Sequence, residues 1–463
     1  MMFQKVTLSA GLALLAGAAL AADFPEELVE RGRYVATASD CVACHTGSED
    51  KPFGGNHVIA SPVGDIVATN ITPSVDYGIG SYTEAQFSDA VRRGVRADGA
   101  NLYPAMPYTA FARITDEDIH ALYAYFMQGV EPIDAPSAET RLPFPFNVRA
   151  SMIGWNLMFR DTSVHEDEPG KSAEWNRGAY LVEGPAHCST CHTPRGVLMQ
   201  EKASQHLAGA QVGAWYAPNI TSDPQDGIGA WSKNEIVAYL ATGRAEGRAQ
   251  AGGSMAEAVS HSFSKLGEDD LAAMATYLAD VPAVAGTERF GRGQAGNMTA
   301  GFRGLDAAPS GLAAGAQVYS ANCASCHGIN GQGTKDQYYP SLYHNSATAG
   351  ASTVNFIAAV LNGVDRETAD GHVFMPPFGE QVNAFNALSD DEIASLSNYV
   401  FAQYGAADHE VSAADVAQIR AGGPTSDLLA WVHAALVAAM ILAGILLVAG
   451  VMILRRRRAA RTS

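Results

Sequence analysis

"CVACH", Cys41 to His45, returns as "CSTCH", Cys188 to His192, and as "CASCH", Cys323 to His327, and these three copies use all 6 cysteines of the 463-residue chain. C-x-x-C-H is the attachment pattern for c-type haem: two thiols form thioethers to the vinyl groups and the next histidine supplies an axial nitrogen to iron. The short spacing brings both sulfurs to one edge of a porphyrin and turns the imidazole onto its face. Structural disulfides and thiol–disulfide exchange do not require a histidine directly after the second cysteine. Zinc would need further Cys or His at ligand spacing, and no cysteine is left over. The motifs therefore predict three covalently bound haems c, attached through Cys41 and Cys44, Cys188 and Cys191, and Cys323 and Cys326, with His45, His192 and His327 on iron.

Outward from the motifs the chain repeats itself. "RGRYVATASDCVACHTG" and "RGAYLVEGPAHCSTCHTP" both run a helix into the haem motif, with Arg31 10 positions before Cys41 and Arg177 11 before Cys188. "NITPSVDYGIGSYTEAQF" from Asn70 matches "NITSDPQDGIGAWSKNEI" from Asn219. Thr83 with Gln86 and Ser232 with Glu235 form capping boxes that start a helix in each copy, and Ser389 with Glu392 forms a third. "ITDEDIHALYAYF", "LGEDDLAAMATYL" and "LSDDEIASLSNYVFAQY" are closing helices, with apolar residues such as Ile393, Leu396, Tyr399 and Val400 at helical spacing. The expected fold is mostly α: three tandem class I cytochrome c-type helical domains at 25–135, 170–285 and 308–406, separated by Pro-containing linkers. "MIGWNLMFRD", Met152 to Asp161, is apolar and aromatic and reads as a docking helix between modules.

Each iron needs a sixth ligand. Met106 in "LYPAMPYTAF" lies 61 residues after His45, and Met375 in "HVFMPPFGEQ" lies 48 after His327; both precede a proline and stand shortly before a closing helix. For the middle haem the repeat decides: Asn70 to Met106 is 36 positions and so is Asn219 to Met255, which puts Met255 of "GGSMAEAVSHSF" in the ligand slot, with His261 as its competitor. His/Met ligation raises the reduction potential. Met127, Met199 and Met274 fall outside the slot and read as packing. His187, beside Cys188, and His372, three positions before Met375, are candidates for supporting the ligands from behind.

The ends of the chain point to export and a membrane. Residues 1–21 read as a signal peptide: Lys5, an apolar run from Val6 to about Ala18, then Ala19-Leu20-Ala21. Residues 428–454 are 27 positions with only His433 polar, long enough to cross a bilayer. The arginines of the 455–463 tail place it in the cytoplasm, and hence the haem domains outside the cytoplasm. With 30 basic against 48 acidic side chains and a net charge of −18, the chain is not expected to bind nucleic acid.

Together, "CVACH", "CSTCH" and "CASCH", the paired "NIT…GIG" segments, "AMP", "SMAE", "FMPPF" and the C-terminal apolar helix resemble the triheme cytochrome c subunits of bacterial membrane-bound alcohol, gluconate, fructose and sorbitol dehydrogenases. The resemblance implies an electron relay anchored in the inner membrane. Electrons would pass from a flavin- or quinoprotein dehydrogenase large subunit through three haems to ubiquinone, with a small third subunit allowed. The clear C-terminal helix favours a flavoprotein partner. No dinucleotide fingerprint, nucleophile elbow or catalytic acid–base pair is recognisable, so catalysis would belong to the partner. Two alternatives stand beside this one: a haem subunit of a terminal oxidase, and a peroxidase keeping one haem open.

Overall fold

Three times along the chain a helix leads into a C-x-x-C-H turn, and a later helix crosses it at a glycine. The leading helices are Glu26–Ala38, Ala173–Glu183 and Ala313–Asn322. Their closing partners are Asp116–Ala124, which continues into a wider turn at Tyr125–Gly129, then Glu268–Leu278 and Asp390–Tyr404. A Cβ on Gly32 would stand 1.9 Å from the Ala121 carbonyl oxygen; on Gly178 or Gly315 it would stand 2.0 Å from that of Ala273 or Ser395. Only glycine lets the two backbones approach this closely. In this computed structural model residues 24–285, 311–350, 352–380, 386–405, 409–424 and 428–459 are described. The signal-peptide expectation for 1–21, most of the linker around 286–310 and the last residues of the basic tail lie outside them.

Each crossing gathers its own hydrophobic core. The first contains Val29, Val35, Phe87, Ile114, Leu122 and Phe126; the second Leu181, Ile236, Val259, Leu271 and Met274; the third Tyr319, Ile357, Leu361, Ile393 and Tyr399. A third helix closes each: Glu84–Arg93, Lys233–Thr242 and Val354–Asn362. All three capping boxes expected from sequence are made, at Thr83 and Gln86, Ser232 and Glu235, and Ser389 and Glu392. Met274 is fully buried, as packing requires. The mostly helical expectation holds, with one addition. After each third helix the chain turns through a short antiparallel ribbon: a single bridge Val95–Asn101, the Arg244–Ala245 and Ala249–Gln250 pair, and the longer Val364–Thr368 and Gly371–Met375 hairpin.

The "NIT" repeat has a structural cause. Asn70 Nδ2 donates to the Ile133 carbonyl at 2.7 Å while its Oδ1 accepts from the Thr72 backbone and hydroxyl at 2.9 and 2.7 Å; Asn219 does the same with Val284 and Thr221. A buried side-chain amide thus pins the strand of chain that follows each closing helix back across the core. The Pro-containing stretch after 130 straps the first core, since Ser137 Oγ also accepts from the Asn70 backbone N–H.

The cores are joined by polar contacts. Arg31 on its leading helix pairs with Asp118 at 2.6 Å and Arg177 with Asp270 at 2.7 Å, while Tyr180 donates to Asp118 and Tyr34 donates to Asp270. Between the second and third cores Asn355 brackets the Tyr216 backbone, accepting from its N–H and donating to its carbonyl, both at 2.9 Å. The Ser151–Phe159 helix docks by one face only. Met152 and Asn156 are buried, Asn156 accepts from Tyr108 Oη at 2.8 Å, and Trp155 Nε1 donates to the Leu198 carbonyl at 2.9 Å. The chain ends in a helix, Leu428–Ala459, whose stretch Trp431–Ile453 is long and apolar enough to cross a membrane and is not buried by the rest of the protein.

Candidate haem sites

Each C-x-x-C-H segment forms about one turn of helix: Cys41–His45, Ser189–His192 after Cys188, and Ala324–His327 after Cys323. The His192 and His327 amides donate to the Cys188 and Cys323 carbonyls at 3.0 and 2.9 Å, four positions back. This spacing puts the first cysteine and the histidine on one side of the turn, with the second cysteine, three positions on from the first, alongside.

In all three turns the histidine is held the same way. His45 Nδ1 lies 2.7 Å from the Thr69 carbonyl oxygen, His192 Nδ1 2.6 Å from that of Pro218, and His327 Nδ1 2.9 Å from that of Pro340. A carbonyl only accepts, so Nδ1 carries the proton and donates, and Nε2 is left with its lone pair. Burial lowers the pKa of each imidazole, outweighing that hydrogen bond, and favours the neutral form that binds metal. The orienting partners are backbone carbonyls and had no side-chain signature. In the first two copies the carbonyl belongs to the residue just before Asn70 or Asn219, so the pinned strap and the imidazole share one piece of backbone.

The expected methionines lie in the same cores as the cysteines. Met106 and Cys41 pack against the first core, Met255 and Cys188 against the second, Met375 and Cys323 against the third. Their backbones differ. Met106 is in the turn before Pro107, Met375 ends the hairpin strand Gly371–Met375, and Met255 sits in the first turn of the Gly253–His261 helix rather than in a loop. Gly252 and Gly253 lead into that helix, the latter with φ +53°. Met255 is half-buried, whereas His261 ends the same helix exposed.

The thiols do not suit disulfide chemistry. All six are free, and burial pushes Cys44 up to about 11, Cys188 and Cys323 up to about 12, and Cys41 higher still. A nucleophilic exchange cysteine needs the opposite shift. Among the described residues no three His, Cys, Asp or Glu side chains cluster to hold a bare ion. Each site instead offers a single neutral imidazole, one thioether and two thiols at an apolar core. That donor set fits a metal brought in with four nitrogens of its own, as in haem c.

The two supporting histidines turn out otherwise. His372 is exposed and pairs with Asp365 at 2.7 Å. His187 is half-buried at the junction of the first two cores, bonded to the Ser39 backbone and edge-on to Phe111 at 5.4 Å. Neither touches Nδ1 of His45, His192 or His327, which the carbonyls already occupy.

Comparison with known proteins places these sites in a family context. The chain matches the cytochrome c family over residues 29–129 and 312–402. It is 45% identical to the fructose dehydrogenase cytochrome subunit of Gluconobacter japonicus, over 94% of this chain and 92% of that one. It is 39% identical to the alcohol dehydrogenase (quinone) cytochrome c subunit of Gluconacetobacter polyoxogenes, over 91% of each chain. With the gluconate 2-dehydrogenase cytochrome c subunit of Pantoea cypripedii it shares 36% identity over 90% of this chain and 95% of the relative. The matches to the cytochrome c family contain the first and third C-x-x-C-H turns; the alignments to the subunits run through the second as well.

Proposed function

Because this chain belongs to the family of dehydrogenase cytochrome subunits, electron-transfer rather than catalytic components, we propose that it is a triheme relay anchored in the inner membrane with its haem domains in the periplasm. It takes electrons from a partner that oxidises an alcohol, sugar or sugar acid, with a flavoprotein preferred over a quinoprotein, and delivers them to ubiquinone. Three cytochrome c domains, at 25–135, 170–285 and 308–406, each carry one haem. Cys41 and Cys44, Cys188 and Cys191, and Cys323 and Cys326 would attach the haems, and His45 and Met106, His192 and Met255, and His327 and Met375 would hold the irons.

The observation that carries this reading is the threefold repetition of one arrangement: a C-x-x-C-H turn whose histidine Nδ1 is fixed by a backbone carbonyl within 2.9 Å. Haem c, when bound, supplies a one-electron iron couple. The residues do the rest. The carbonyls of Thr69, Pro218 and Pro340 orient the imidazoles; the methionine thioethers favour the reduced state; the buried aromatic and aliphatic cores exclude water. The first two sites adjoin. The Gly253–His261 helix that bears Met255 packs against the Cys41–His45 turn.

Oxidation of one CH–OH group in the partner releases two electrons and two protons, and reduction of one ubiquinone takes up the same number, so the chain passes two electrons singly per turnover. The test is the full-length protein with its co-purifying dehydrogenase in proteoliposomes. Substrate should reduce the haems, and added ubiquinone should reoxidise them. Haems that stay oxidised under substrate, or that ubiquinone leaves reduced, contradict the reading.

A further inference from the structure

Residues 141–160, "RLPFPFNVRASMIGWNLMFR", hold three arginines and no Asp or Glu, in a chain with 48 acidic side chains and a net charge of −18. The Ser151–Phe159 helix inside this stretch buries Met152 and Asn156 but leaves Ile153 61% and Leu157 87% exposed, with Met158 beside them. Ile153 and Leu157 are one turn apart and so share a face. Leu198, tied to the helix by Trp155, extends that face together with Val197, itself 80% exposed. Exposed apolar surface on this scale marks an interaction site.

Its position indicates the occupant. His433, near the start of the apolar span Trp431–Ile453, donates from Nε2 to the carbonyl of Phe144 at 2.7 Å. Phe144 is itself exposed and lies seven positions before the helix. The level at which the terminal helix enters hydrocarbon is therefore the level of this segment. Arg149 and Arg160 donate to the backbone carbonyls of Asn101 and Arg93, leaving their positive charge beside the apolar face without spending it on a carboxylate. An apolar helix face flanked by arginine and aromatic rings is the pattern of a segment lying in a membrane interface.

We infer that the face running from Phe144 to Met158, with Val197 and Leu198, rests in the outer leaflet of an anionic bilayer as a second membrane contact beside the terminal helix. It rests on the reading of Trp431–Ile453 as the anchor, and it adds something to that reading. One helix alone leaves the soluble portion free to swing. Two contacts fix which side of the first and second cores faces the lipid.

The test uses full-length, haem-loaded protein in vesicles of phosphatidylglycerol and phosphatidylcholine containing a phospholipid with a diazirine in its acyl chain. Crosslinks are mapped by peptide mass spectrometry. Labelling of both 144–158 and 431–453 is expected. An Ile153→Glu, Leu157→Glu double variant should lower labelling of the first by about tenfold or more while leaving the second and the haem content unchanged. Labelling of 431–453 alone overturns the inference, as does labelling of 144–158 that persists undiminished in the double variant. Labelling of 144–158 without 431–453 supports the lipid contact and contradicts the anchor reading. Protection of 144–158 that requires added dehydrogenase would assign the face to a protein partner and overturn the inference.

Discussion

Tyr34 and Tyr180 hold equivalent places on their leading helices, three positions after Arg31 and Arg177, and each bonds the aspartate of the other's core: Tyr34 Oη donates to Asp270 Oδ2 at 2.6 Å and Tyr180 Oη to Asp118 Oδ2. Each aspartate also receives the arginine of its own core. The same contact is made twice in opposite senses, which locks the first two cores into one arrangement. Tyr180→Phe, at the more buried of the two, should destabilise the loaded protein by about 1.5–3 kcal/mol, the range for a hydrogen bond to a charged group. Thermal unfolding of the two-core transition checks this, and an unchanged midpoint would remove the lock.

The Asp270 side of the lock should depend on pH. Burial pushes its carboxyl up, but the Arg177 guanidinium and the Tyr34 hydroxyl outweigh this and hold its pKa below the usual 3.8. A folded pKa below the unfolded one gives stability that is present above the unfolded value and is lost as pH falls through the folded one. The stability gap between the protein and Tyr34→Phe should therefore be full near pH 7 and close below about pH 4. A gap that widens on acidification would show that the carboxylate is not its source.

The glycine crossings should be intolerant. Gly315→Ala places a Cβ against the Ser395 carbonyl and should cost about 3 kcal/mol or more, with loss of haem from the third site. Gly154→Ala, in an exposed helix with nothing within 4 Å, should stabilise by about 0.5–1 kcal/mol. Equal effects of the two in chemical denaturation would show that the close crossing carries no weight.

Met255 and His261 can be separated by spectroscopy. Met255→Ala should remove the methionine-to-iron absorption of one haem and lower that haem's potential, whereas His261→Ala should change neither. The reverse pattern would move the middle ligand to His261.

Asn219 joins the strap to His192, because the Pro218 carbonyl just before it holds that imidazole. Asn219→Ala leaves the Thr221 and Val284 groups without their partner at a site 3% exposed. It should cost about 2–3 kcal/mol and shift the potential of the middle haem alone. Loss of stability with all potentials unchanged would confine the asparagine to a structural role.

Much of this was legible in the sequence where the determinants are local. Thr83 and Gln86 make their capping box within one turn, and the turn from Cys41 to His45 is set by five consecutive residues. The 36-position spacing pointed to Met255 because repetition transfers information between copies, and the structure places this methionine in the first turn of a helix, where the other two stand directly before a proline. The rest was illegible for physical reasons. Histidine Nδ1 finds backbone carbonyls, which every residue possesses, and Tyr34 meets Asp270 across 236 positions, a pairing set by packing of two cores. His372 was expected near the third ligand on sequence proximity; the hairpin alternation turns it to solvent with Asp365.

The central claim is that one chain carries three haems in three copies of one site. Pyridine haemochrome quantification of the matured full-length protein, set against its concentration from amino-acid analysis, tests it most directly. Three haems per chain are predicted, one for each of Cys41–His45, Cys188–His192 and Cys323–His327. Two haems per chain, with the thiols of one motif free to react with iodoacetamide after denaturation, would contradict it.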